Sequence, residues 1–118
     1  MERAPEHQQL VADAVAYLAR VRDGLPVLAG ALRRAEYRAA LEQLRDALEG
    51  LQWVTRLARA LGLEEDPRVP VYQAGCAALL EALENGDYVL VADLLEAEFG
   101  DAVQALADLL APAAGPAH

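Results

Sequence analysis

An all-α fold, an antiparallel up-down four-helix bundle, is predicted by three features of this sequence. Apolar residues recur at steps of three and four through four long segments, the period of one buried helix face. Short connections join those segments, two of them marked by Gly, Pro or Asp, which favours antiparallel neighbours. Nothing in the chain resembles a strand hairpin. A chain of 118 residues can bury one core, so a single domain is expected over 1–111, followed by a disordered tail over 112–118.

The first helix carries Leu10, Ala14, Tyr17, Val21, Leu25, Leu28 and Leu32 on one stripe. Pro26 removes a backbone donor and crowds the preceding turn, so the helix is expected to kink or break near Gly24–Pro26. Tyr37, Leu41, Leu44, Leu48 and Leu51 begin the second helix, expected to be the longest, which continues to about Leu61 and stops at Gly62. Residues 64–70 hold two prolines and read as an extended connector. The third helix is expected from about Pro70 through Tyr72, Cys76, Leu79, Leu80 and Leu83. Asn85-Gly86-Asp87 supplies a left-handed C-cap glycine followed by an aspartate N-cap, hence a tight reversal. The fourth helix then carries Tyr88, Ala92, Leu95, Phe99, Ala102, Leu106 and Leu109, ending before Pro112.

Composition narrows the chemistry. The chain has no Ser, Lys or Ile, one Thr (Thr55), one Cys (Cys76), and His only at His7 and His118. Most catalytic nucleophiles and nitrogen or sulfur metal ligands are therefore missing, and neither catalytic residues, metal nor cofactor is assigned. Cys76 lies among Ala and Leu, where it reads as a small buried hydrophobe. No apolar run approaches the length of a membrane span, and the first residues lack the apolar core of a signal peptide, so a cytoplasmic protein is expected. The net charge of −9 is unevenly spread: through Leu63 nine arginines face eight acids, whereas beyond it Arg68 alone faces eleven. An acidic half argues against nucleic acid as a partner.

Two groups of side chains stand apart from the core stripes. On the fourth helix Leu90, Leu94 and Ala97 lie roughly opposite Leu95 and Phe99, with Asp93, Glu96, Glu98 and Asp101 around them. After Gly50, Trp53 and Leu57 leave the face of Leu44 and Leu48. An apolar patch rimmed by charge suits a protein partner or a second copy, with Trp53 as anchor. For Trp53 the competing reading is internal: Gly50 bends the helix and the indole covers the core. The expected interface is thus Trp53, Leu57, Leu90, Leu94 and Ala97, in a non-enzymatic adaptor, chaperone-like or self-associating module that binds neither nucleic acid nor membrane.

Glu81-x-x-Glu84 and Glu98-x-x-Asp101 resemble the two-helix motif of all-α nucleotide pyrophosphatases. That resemblance implies magnesium-dependent hydrolysis by those four carboxylates, chemistry that needs only oxygen ligands and metal-activated water. Geometry opposes it: with the reversal at 85–87, Glu98 stands about 15 Å along the helix from Tyr88, too far for Glu84 to share an ion. Ala47-Leu-Glu-Gly-Leu-Gln-Trp53 and Ala82-Leu-Glu-Asn-Gly-Asp-Tyr-Val-Leu-Val-Ala-Asp-Leu-Leu-Glu96 resemble segments of small, uncharacterised all-α bacterial proteins with a Glu-Gly-Leu-x-Trp helix and a Leu-Glu-x-x-Asp-Tyr segment. The resemblance implies a helical fold and no particular activity. In architecture alone the chain is similar to bacterial flagellar export chaperones, small helical bundles that bind partner helices.

Overall fold

The computed structural model describes residues 5–114, all helix and turn, in five helices rather than four. They are α1 (Pro5–Arg33), α2 (Tyr37–Ala60), α3 (Arg68–Glu84), α4 (Tyr88–Glu96) and α5 (Glu98–Leu110). A 3-10 turn, Ala111–Ala114, follows. That turn takes in residues 112–114 of the expected tail and packs on α1 and α5; residues 115–118 lie outside the described residues.

The longest helix is α1, not α2, with 29 residues against 24. At 1.5 Å per residue it runs about 43 Å, most of the 49 Å length of the molecule. It packs on α2 along one side and on α4 and α5 along another, while α3 packs on α4, α5 and more thinly on α2. One core draws buried side chains from all five helices.

Of the kink or break expected near Gly24–Pro26, a break does not occur: helix continues across Pro26 to Arg33. The pyrrolidine ring faces solvent, while Leu25, Leu28 and Ala29 beside it are buried. An interior proline costs about 3 kcal/mol, and each fully buried leucine returns about 1.5–3 kcal/mol, so packing on both sides of Pro26 holds the rod together. The interruption falls instead in the expected fourth helix, at Ala97, whose φ and ψ of −97° and −86° separate α4 from α5. Ala97 and Pro26 line the same groove between α1 and α4–α5, so the two irregularities face each other. The apolar stripe crosses the interruption intact, with Ala92, Leu95, Phe99, Ala102 and Leu106 all buried.

Three helices end in one way. A 6→1 hydrogen bond runs from Glu36 N–H to the Ala31 carbonyl (2.9 Å), from Leu63 N–H to Ala58 (3.0 Å), and from Asp87 N–H to Ala82 (2.9 Å). Each closes over a left-handed residue: Ala35 at φ 61°, Gly62 at 75° and Gly86 at 67°. The Asp87 carboxylate then accepts from Leu90 N–H at 3.1 Å and starts α4, so the reversal at 85–87 has the expected geometry. The 64–70 connector is a compact turn, not an extended one. Asp66 N–H donates to Leu63 and Val69 N–H to Asp66, and α3 begins at Arg68 with Pro70 inside its first turn. The Asp66 carboxylate accepts from the Arg68 backbone and guanidinium, which lowers its pKa to about 2.

Two tyrosine hydroxyls, one half-buried and one buried, fix the neighbours of α2. Tyr17 donates to the Ala47 carbonyl at 3.2 Å, and a side chain at Gly50 would collide with that ring, 2.9 Å from Cε2 and closer to the hydroxyl. Gly50 therefore makes room for Tyr17, and α2 runs through it as unbroken helix over 37–60. Tyr72, fully buried, donates to the Leu51 carbonyl at 2.8 Å, and burial raises its pKa well above the ordinary tyrosine value. Leu10, Tyr37 and Leu80, expected on core stripes, are 43%, 40% and 46% exposed. Tyr37 lies against Tyr88, ring centroids 4.8 Å apart.

Ala35→Gly should stabilise the fold by about 1 kcal/mol, since the left-handed conformation penalises a Cβ, read as a higher denaturant midpoint at unchanged m-value. Gly50→Ala should give no stabilisation in the parent, yet about 1 kcal/mol in a Tyr17→Ala background, where only the helix-propensity gain is left. Equal effects of Gly50→Ala in both backgrounds would contradict the steric role assigned to Tyr17.

Candidate functional site

The tight reversal joins α3 to α4, and α3 packs on α4 and α5 with small residues, Ala74, Gly75 and Ala78, beside Phe99 and Leu94. Phe99 lies close against Gly75: a Cβ there would stand 3.1 Å from Phe99 Cδ1, tighter than an ordinary contact, so the ring would have to give by a few tenths of an ångström. The Phe99 ring stacks on Tyr72 at 6.4 Å between centroids and 20° between planes, so its place is fixed from below by a buried tyrosine. Above the ring the surface dips into a groove of about 280 Å³. Val71, Ala74, Gly75 and Ala78 form its α3 wall, and Leu94, Glu98, Phe99 and Ala102 the other. Val71 is 61% exposed, and the half-buried Leu94 packs down onto the core. Glu98 is the only charged residue in the lining.

Of the five residues expected at an interface, Leu94 lines this groove, and Leu90 stands one turn before it on α4, 43% exposed. Ala97 is exposed at the α4–α5 interruption. Trp53 and Leu57 sit on α2, half-buried against the core, and take no part in the groove. The five residues therefore form no common patch. Val71, Ala74 and Ala78 escaped the sequence reading, which traced α3 through its large residues. Their spacing of three and four was visible, but alanine carries a weak hydrophobic signal beside leucine.

The acids around the Leu90–Leu94 ridge are not all free. Arg33, in the last turn of α1, donates to Asp93 at 2.7 Å and to Glu96 at 2.6 Å, clamping α4 onto α1. Those two charge-assisted bonds raise the Arg33 pKa further. Glu81, Glu84, Glu98 and Asp101 are exposed and form no ion pair with one another's partners or with any described residue. They do not converge: Glu84 lines a groove between α2 and α3, Glu98 the α3–α5 groove, and Asp101 the groove between α1 and α5. Among the described residues no group of His, Cys, Asp and Glu is arranged to hold a metal ion. Burial pushes the Cys76 thiol up to about 11, which leaves little thiolate at neutral pH.

A wider groove of about 500 Å³ lies between α1 and α2, crossed by Arg20, Gln43 and Asp46. Its mixed charges and polar crossings suit solvent better than an apolar ligand. The α3–α5 groove is the more apolar and the better enclosed by packed rods, and is the candidate site. No helix among the described residues is long and apolar enough to cross a membrane.

No curated protein and no solved structure matches this chain. A family model described as "Domain of unknown function (DUF8042)" matches residues 9–109, from the second turn of α1 to the end of α5. The chain belongs to that uncharacterised DUF8042 family.

Proposed function

We propose that this chain is a non-enzymatic protein-interaction module that works through the apolar surface of α3, α4 and α5. The observation that carries this reading is the groove over Phe99, lined by Gly75, Leu94, Ala102 and the exposed Val71, with the exposed Leu90 one turn away on α4. Leaving such side chains in water forgoes about 25 cal/mol for each Å² of apolar surface that a partner would cover. Leu94 and the Phe99 ring provide a firm floor because both rest on the core, so little side-chain entropy is lost on binding. Glu98 at the rim would set orientation more than affinity. Trp53 and Leu57 become supporting core residues of α2 in this account, and their half-burial agrees with that role.

A photocrosslinking amino acid placed at Val71 in the native cell tests the reading directly. It should give one discrete adduct, whereas the same group at Arg56, exposed on α2, should give none of that mass. Identical products from both positions, or no adduct at either, would contradict it. Leu90→Glu should lower the adduct yield at position 71 at least about tenfold while leaving thermal stability almost unchanged, as expected of an exposed position.

A further inference from the structure

We infer that the occupant of the α3–α5 groove is a basic amphipathic helix supplied by another protein, an inference that rests on the groove being the interaction surface. From Arg68 to Leu110 the chain carries eight carboxylates and one arginine. Arg68 is held by Asp66, and Arg33 satisfies Asp93 and Glu96. Asp87 caps α4, and Gln104 donates to Asp108. That accounts for four of the eight acids. Glu81, Glu84, Glu98 and Asp101 have no hydrogen-bond or ion-pair partner among the described residues.

Two of these four bear on the groove. Glu98 lines it, and Glu81 follows Ala78 by three residues on α3, one turn further along the same face. The groove thus has an apolar lining with one unpaired carboxylate, Glu98, and a second, Glu81, one turn beyond the lining on α3. A helix suits an apolar groove between packed helices, and the small side chains of Ala74, Gly75 and Ala78 allow its backbone to come close. Anchors at i, i+3/i+4 and i+7 would enter over Phe99, and Lys or Arg on the flanks would meet Glu81 and Glu98. A second copy docked through the same face would bring the Glu81 and Glu98 carboxylates of both copies into one interface, with no arginine in the groove lining to offset their charge.

Selection from a displayed library of helical peptides, with charge and apolar spacing randomised, tests the inference on the full chain. Ala74→Trp, an exposed position on the groove wall, serves as the filled-groove control, with Val71→Glu as a second control should the first lose helicity by circular dichroism. The peptides enriched on the parent should combine helical apolar spacing with net positive charge. They should bind at least about tenfold more weakly to Ala74→Trp and to Glu81→Gln/Glu98→Gln, and weaken as salt is raised. Enriched peptides that are neutral or acidic, and indifferent to the double glutamine variant, would overturn the basic occupant and leave the groove standing as an interaction surface. No enrichment over either control would remove both. A dimer in sedimentation that Ala74→Trp dissociates would overturn the inference in favour of a second copy.

Discussion

At Asn85-Gly86-Asp87 the chain reverses within three residues, and the register of α3 against α4 and α5 follows from that. Gly86 takes a backbone conformation that a Cβ would penalise, the Asp87 backbone closes α3, and its carboxylate opens α4. A longer connection would let the two rods slide; this one fixes which α3 residues meet Phe99. Gly75 is the residue it delivers there, and the absence of a side chain at that point is what lets the aromatic ring lie close to the α3 backbone. The groove above the ring is the visible result of two rods brought together over small residues.

The same principle operates on the other side of the molecule. Gly50 receives the Tyr17 ring as Gly75 receives that of Phe99, so each aromatic is seated at a helix surface bared by glycine. A helical glycine costs roughly 1 kcal/mol relative to alanine, and the stability returned by a buried aromatic is larger. Tyr72 ties these two regions together. Its hydroxyl reaches the α2 backbone at Leu51, and its ring lies under Phe99 of α5. The clamp from Arg33 to Asp93 and Glu96 fastens α4 just before the irregular Ala97, where the helix itself offers least rigidity.

What was legible in the sequence was local backbone chemistry. The stop at Gly62, the glycine and aspartate at 86 and 87, and the apolar stripe from Ala92 to Leu106 all stand where residue type alone places them. What was not legible depended on packing across the fold. Pro26 reads as a breaker, yet the leucines around it are buried tightly enough to hold α1 in one piece. Ala97 reads as ordinary helix, and its departure lies opposite Pro26, a coincidence in space that no local rule supplies. The groove escaped for a related reason: its α3 wall is built of Val71, Ala74 and Ala78, whose importance comes from what they leave empty. Leu90 and Leu94 are conspicuous as leucines off the core stripe, and Leu94 lines the groove, whereas Trp53 and Leu57 lie half-buried on α2 away from it.

The close seating of Phe99 on Gly75 is the claim from which the groove, and any partner for it, follows. Phe99 is the sole phenylalanine in the chain, so its ring protons can be assigned without ambiguity. Nuclear Overhauser spectroscopy of the labelled protein should show strong cross-peaks from the Phe99 ring to the Gly75 α-protons and to the Tyr72 ring. Cross-peaks confined to neighbours of Phe99 within α5, with none to Gly75, would contradict the account.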